Sequence, residues 1–272
     1  MNYETLTIDQ NNSIATLSFN RPDKLNAFDS KMVIETQDAI KTISDDNSIK
    51  VVIITGTGKG FSAGADLSDP KGMDDHSNDR LVYEGLVEGY MPSLVAILNM
   101  PKPVIAAVNG PAAGIGSAFA LACDLMVMSE SAYLKQAFVH IALIPDGGLN
   151  WFLTRSVGYK LAYEMAIEGN NVSAARCLEL GLTNKIVSDD ELMSSTMAWA
   201  ESLARKSSQS LRETKKVMRA AMTASYEETF KLEAEANNSL HGSEDSLEAI
   251  KAFFEKRAVS YTHLTLPTSD LV

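Results

Sequence analysis

Val104-Ile105-Ala106-Ala107-Val108-Asn109-Gly110-Pro111-Ala112-Ala113-Gly114-Ile115-Gly116-Ser117-Ala118-Phe119-Ala120-Leu121-Ala122-Cys123-Asp124-Leu125-Met126-Val127-Met128 decides the fold of this chain. The run is apolar enough to resemble a membrane span. Asn109, Pro111, three glycines and Asp124 interrupt it. It therefore divides into a buried strand at 104–108, a glycine turn, a helix over 114–122 and a strand at 124–128. Working outward, Val51–Thr55 is another continuous apolar run, the kind a parallel sheet buries on both faces. Thr5–Asp9 and Ile14–Phe19 alternate about Asn11-Asn12 and predict a β-hairpin. Ser30 to Ser44 carries helical spacing at Met32, Val33, Thr36, Ile40 and Ile43, with Asp29 or Ser30 as N-cap. Residues 76–99 read as a long helix, closed by Pro101 and Pro103. Strand and helix alternate, which implies an α/β fold.

From about Ser173 the pattern changes. Stretches 173–180, 189–206, 207–222, 225–240 and 243–257 are helical, interrupted by Gly181 and Lys185–Val187. The expected organisation is an α/β core over 1–200 and a helical subdomain over 201–258. The tail 259–272 breaks the helical pattern and resembles the in-frame translation of a sequencing adapter, so it is read as non-native.

The 272 residues are 45% hydrophobic, enough for one large domain or a domain with a subdomain. A net charge of -11 argues against nucleic acid or an anionic membrane as partner. Cys123 and Cys177 lie in apolar stretches and read as buried thiols of a reducing compartment. Met1-Asn2-Tyr3-Glu4-Thr5 shows neither a basic nor an apolar leader region, so the expected location is cytoplasmic. Asp74, Asp75, His76 and Asp79 read as a solvated loop, and no metal site is expected.

Gly56-Thr57-Gly58-Lys59-Gly60 lacks Walker spacing and reads as a polar turn. Phe61-Ser62-Ala63-Gly64-Ala65-Asp66-Leu67 is more specific. Small residues after a buried strand let a ligand approach the backbone. The second small-residue segment, Val108 to Ala118, joins a buried strand to a helix start, where free N–H groups face outward. Two such segments, each ending a parallel-type strand, suggest an oxyanion hole built from two backbone N–H groups.

Asp146 stands in Ile141-Ala142-Leu143-Ile144-Pro145-Asp146-Gly147-Gly148, with no other acid between Glu130 and Glu164. Taken alone, it reads as the N-cap of a helix over 149–156. A carboxylate in apolar surroundings also has a raised pKa and can exchange a proton near neutrality.

Arg21-Pro22-Asp23-Lys24-Leu25-Asn26-Ala27, Phe61 to Asp66 and Asn109 to Gly114 together resemble the three signature blocks of the crotonase (enoyl-CoA hydratase/isomerase) superfamily. Pro145 to Gly148 fits a fourth block, and Lys251-Ala252-Phe253-Phe254-Glu255-Lys256-Arg257 resembles the C-terminal signature. The resemblance implies a spiral of ββα turns with a trimerising helical subdomain, assembling as a homotrimer or a hexamer. It implies an acyl-CoA thioester substrate and no cofactor beyond the CoA that the substrate carries. The implied oxyanion donors are the N–H groups of Ala65 and Ile115. Lys24, Ser62, Ala63, Asp66, Leu67 and Gly114 fall where the family binds CoA or substrate, and Phe253 and Lys256 match a pair that often holds CoA.

Hydratases of the family use two Glu, and block alignment puts Ala118 and Phe138 at those places. Neither can orient water or donate a proton. Asp146 falls where isomerases of the family carry Glu or Asp. The expectation is an isomerase that shifts a double bond with one carboxylate, buried beside Ile144 and Phe138. An enoyl-CoA hydratase, an aroyl-CoA dehalogenase-like enzyme with Asp146 as nucleophile, and a non-catalytic CoA-thioester binder are the alternatives. His140 reads as a packed or hydrogen-bonded core residue, Asp124 as structural, and Met32, Met91, Met100, Met126, Met128 and Met165 as core filler, a few of them as candidates to line an acyl pocket.

Overall fold

The computed structural model describes residues 2–69 and 80–261. The N-terminal hairpin forms as the alternation predicts. Strand β1 (Leu6–Asn11) pairs antiparallel with β2 (Ile14–Phe19) across Asn12, which takes a positive φ of 53°. Asp29 caps α1 (Ser30–Asp45) by accepting from the Met32 N–H. The buried apolar runs become β3 (Val51–Gly56) and β4 (Val104–Val108), every residue of both buried. Between them a helical stretch, α2 (Leu81–Asn99), is wound as a π-helix over Gly85–Tyr90. By length and composition this helix could cross a membrane. Residues 76–79, the predicted start of α2, and the acidic run at 74–79 lie outside the described residues.

Val104 to Met128 resolves much as read, with one addition. After β4 comes a short strand, β5 (Pro111–Ala113), then α3 (Ile115–Ala122) and β6 (Leu125–Ser129). The chain continues through β7 (Tyr133–Lys135), α4 (Leu149–Ser156), α5 (Tyr159–Glu168), β8 (Asn171–Ser173), α6 (Ala174–Glu179) and β9 (Lys185–Val187). One sheet has the order β1-β2-β3-β4-β6-β9, parallel from β2 onward. The second has the order β5-β7-β8. Isolated parallel bridges, Phe28 to Ala65 and Ser62 to Ala112, carry the same pairing back along the chain. Successive turns thus give one long strand to the first sheet and one short extended segment to the second. This is the mixed α/β architecture of the crotonase fold, with its parallel sheet.

Phe19, Phe28, Phe61 and Phe119 fill the core beneath the loops that follow β2 and β3. Phe28 and Phe119 stack at 4.8 Å, and Phe19 meets Phe28, Phe61 and Phe119 edge-on. Asp124 is structural, since its carboxylate accepts the Val104 N–H at 2.9 Å and ties the start of β4 to β6. Met32, Met100, Met126, Met128 and Met165 are buried, but Met91 is half-exposed and lines a cavity rather than filling the core. Cys123 and Cys177 are buried thiols.

The chain divides into two compact units, residues 1–200 and residues 201 onward. Helix α7 (Leu192–Ala204) spans that boundary. The second unit holds α8 (Ser208–Ala221), α9 (Tyr226–Leu240) and α10 (Glu244–Glu255), each begun by a serine N-cap. Ser225 and Glu228 form a reciprocal capping box on α9. Met218 on α8, Phe230 on α9 and Leu247, Phe253 and Phe254 on α10 are exposed apolar side chains.

Candidate active site

The loop after β3 is held by polar groups that satisfy one another. Asn26 donates to the carbonyls of Thr57 and Gly60 and accepts the Arg21 N–H. Ser62 Oγ donates to the Asn26 carbonyl at 2.8 Å and accepts the Gly64 N–H at 3.2 Å. The Arg21 guanidinium pairs with Asp29 at 3.1 Å and Asp66 at 3.0 Å, and also donates to the Ala27 carbonyl. Hydrogen bonds from Ser68, with the Arg21 pair, hold the Asp66 carboxyl below its ordinary pKa. Phe28 then brackets Ala65, donating its N–H to Gly64 and accepting the Asp66 N–H, both at 2.8 Å. The Ala65 N–H between them has no acceptor among the described residues.

The second loop locks onto the first. Phe61 and Ser62 donate to the Pro111 carbonyl, and the Ala113 N–H returns to the Ser62 carbonyl at 2.9 Å. Gly114, with φ 51° and ψ −128°, occupies the N-cap of α3 without any side-chain cap. The Ile115 N–H that opens α3 also has no acceptor among the described residues, as expected of a first-turn donor. A methyl group built on Gly64 would lie 2.9 Å from the Ala113 carbonyl oxygen, and one on Gly116 would lie 2.6 Å from that of Ser62. Only glycine permits this approach. It sets the free N–H groups of Ala65 and Ile115 on neighbouring turns at one spot, with the Phe138 ring beside Gly114.

Asp146 arrives on a glycine turn packed against the start of α3. Gly147 and Gly148 take φ of 60° and 80°. A methyl group on Gly147 would stand 2.4 Å from Ile115 Cδ1 and 2.8 Å from Ala118 Cβ, so the turn rests on the first turn of α3. Asn150 Nδ2 fixes it by donating to the Pro145 carbonyl at 2.6 Å. The capping reading of Asp146 is overturned. Gly148 is the N-cap of α4, no side chain caps that helix, and Asp146 contributes only its carbonyl, to the Leu149 N–H. The carboxylate itself has no hydrogen-bond partner among the described residues, and its Oδ1 is fully buried. Burial alone pushes its pKa up to about 6. The expected neighbours are partly wrong: Phe138 is buried, but Ile144 is 78% exposed.

Beside Asp146 lies an apolar cavity of about 310 Å³ between α2 and α4, lined by residues including Met91, Leu94, Gly147, Trp151 and Phe152. That lining explains the apolar composition of α2. Ala118 is fully buried and Phe138 nearly so, and neither position supplies a carboxylate. Sequence reasoning missed Tyr90 on α2. Its ring meets Phe28 edge-on at 5.9 Å, and its hydroxyl has no partner among the described residues. Burial and the Asp146 charge both raise its pKa, so the phenol stays protonated. The sequence held no local signal for it, since the same helix also carries Tyr83, Glu84 and Glu88.

The remaining candidates separate. Lys24, Ala63 and Leu67 are exposed on or near the first loop. Ser62 is fully buried, so it shapes the loop rather than meeting a ligand through its side chain. The Asp66 carboxylate faces Arg21 and Ser68 in the same way. Phe253 and Lys256 are exposed in the second unit. His140 is hydrogen-bonded, to the Gly169 carbonyl at 3.1 Å, but it is exposed rather than a core residue.

Residues 9–263 match the family described as enoyl-CoA hydratase/isomerase. The 1,2-epoxyphenylacetyl-CoA isomerase of Escherichia coli K12 is 33% identical over 92% of this chain and 95% of its own length. A protein of Rhodobacter capsulatus named "Probable enoyl-CoA hydratase" is 34% identical over 96% of this chain and 99% of its own. Among solved structures, the enoyl-CoA hydratase of Bacillus anthracis superposes with a TM-score of 0.88 at 30% identity, covering 95% of this chain and 99% of that one. With both the sequence blocks and the paired loops accounted for, the chain belongs to the enoyl-CoA hydratase/isomerase family of the crotonase superfamily.

Proposed function

We propose that the protein is an acyl-CoA isomerase, moving a double bond in an enoyl-CoA or ring-derived CoA thioester with one carboxylate. The observation that carries this reading is the unpartnered Asp146 beside two free backbone donors, with Ala118 and Phe138 where a second acid would stand. The thioester oxygen accepts from the Ala65 and Ile115 N–H groups. Asp146 removes the C2 proton, and the C2–H electrons form the enolate whose charge those two donors stabilise. The enolate electrons then form the C2–C3 double bond while the former C3–C4 π electrons take the proton back from Asp146 at C4. Nothing is consumed, and no cofactor beyond the CoA of the substrate takes part. Lys24, Ala63 and Leu67 flank the CoA moiety, with Asp66 and Gly114 shaping the backbone around it. Phe253 and Lys256 approach the CoA within a homotrimer or hexamer, whose contacts use the apolar side chains of α8 to α10.

Hydratase activity is the second reading, favoured by the name of the Rhodobacter relative. The test offers 3-hexenoyl-CoA and crotonyl-CoA to the wild type and to Asp146→Asn. Isomerisation of 3-hexenoyl-CoA by the wild type, lost in the variant with thioester affinity kept, is expected. Near-normal turnover by the variant, or rapid hydration of crotonyl-CoA, overturns the reading. Asp146 acts as a base only when ionised. Turnover should therefore fall as pH drops through about 6 and level off above it.

A further inference from the structure

Helix α2 crosses the site with two residues one turn apart. Leu94 touches the Asp146 turn, since a methyl group on Gly147 would lie 3.7 Å from Leu94 Cδ1. Tyr90, four residues earlier, packs its ring on Phe28, whose backbone brackets Ala65. The phenol lies within reach of the Asp146 charge, and the next residue, Met91, lines the cavity beside the Asp146 turn together with Leu86, Val87, Leu94, Val95 and Leu98.

The placement is built rather than incidental. Pro92 has no N–H to give the carbonyl of Glu88, four residues back. Gln37 on α1 supplies the donor instead, bonding the Glu88 carbonyl at 2.8 Å and that of Gly89 at 2.6 Å. Gly89 lets α2 approach α1 closely, because a methyl group there would come within 3.3 Å of Val33 Cγ1. The π-turn over Gly85–Tyr90 ends at Tyr90. Such turns are frequent at functional sites.

We propose that Tyr90 is a specificity-determining residue whose hydroxyl donates a hydrogen bond to an oxygen atom on the acyl group, selecting thioesters oxygenated near the reacting carbons. The hydroxyl has no protein partner among the described residues, and the thioester oxygen is already served by two backbone donors under the reading proposed above, on which this inference rests. The phenol keeps its proton at neutral pH, since burial and the neighbouring Asp146 charge both oppose ionisation. A donor left unpaired against a purely hydrocarbon acyl chain costs affinity.

The test measures binding by calorimetry with hexanoyl-CoA, 4-oxohexanoyl-CoA and 5-oxohexanoyl-CoA. None of these is an enoyl ester, and a keto oxygen accepts without donating, so the Asp146 carboxylate cannot hold it. The wild type should bind at least one oxo ester roughly fivefold more tightly than hexanoyl-CoA. Tyr90→Phe should bind all three alike, with hexanoyl-CoA bound at least as tightly as by the wild type and an unchanged far-ultraviolet dichroism spectrum. A wild type without the preference, or a variant that keeps it, overturns the assignment. Because no double bond moves in this experiment, its outcome is independent of whether Asp146 proves to be the isomerase base.

Discussion

On the loop side of the site, Arg21, Asn26, Ser62 and Asp66 all pair with protein neighbours. On the helix side, Asp146 and Tyr90 pair with none among the described residues. The first arrangement makes backbone donors rigid without exposing any reactive side chain. The second keeps one carboxylate oxygen, Asp146 Oδ1, out of water, and burial pushes the group's pKa up to about 6. Under the proposed function, polar pairing is concentrated in the loops and left out of the wall that would handle the proton, as expected where a site is preorganised on one face and reactive on the other.

Substituting Asp146 separates the two walls most strongly. Asp146→Asn should lower isomerase turnover by roughly 10²–10⁴-fold, the usual contribution of a general base. It should also raise stability. The folded pKa of about 6 lies above the unfolded value of about 3.9. The folded protein therefore holds its proton more tightly, and the wild type loses stability as pH rises from about 4 to about 6. Above that window the ionised, buried carboxylate costs about 2–3 kcal/mol that the Asn variant avoids. Denaturant melts at pH 4 and pH 8 read this directly. A variant no more stable than the wild type at pH 8 breaks the claim that Asp146 is held unsolvated.

The loop wall answers to smaller changes. Gly64→Ala forces a methyl group to 2.9 Å from the Ala113 oxygen at a φ of +99°. Moving one oxyanion donor should cost about 10²-fold in kcat, with KM little changed. Arg21→Met removes the partner of two carboxylates, one of them nearly buried. Loss of about 2–3 kcal/mol in unfolding free energy is expected. If Arg21→Met changed neither stability nor kcat, the loop would not depend on its polar network.

The long elements were legible because their signals are local. The all-apolar strands β3 and β4, and the Asp29 cap, need no tertiary context. Strands β5, β7 and β8 were not legible, since three residues are too few to show a period of two. Helix α5 also escaped notice, although Gly158 precedes it. The inward turn of the Ser62 side chain was not legible, because a small polar residue in a glycine-rich loop looks the same whether it faces a ligand or Asn26. Asp146 was found for the right reason, desolvation, with one wrong neighbour. Which side chains surround the turn depends on α2 and α3 arriving from elsewhere in the chain. Tyr90 had no such signal at all, because its setting consists of the ring contact with Phe28 and the charge of Asp146, both far away in sequence.

Gln37 gives the finest test of the comparison, because it ties the α2 carbonyls just before Tyr90 to α1. Gln37→Leu keeps the volume and removes the donor to Glu88 and Gly89. Those carbonyls are near the surface, so water can replace part of the lost bonding. The expected stability loss is therefore about 1 kcal/mol, not the larger figure for a fully buried orphan. Tyr90 would then be held by its ring contact with Phe28 alone. Its preference for an oxo ester should shrink while hexanoyl-CoA affinity stays constant. A merely structural Gln37 would lower stability and leave that ratio untouched. If the ratio holds in Gln37→Leu, the ring contact alone fixes Tyr90, and the helix wall owes its geometry to apolar packing throughout.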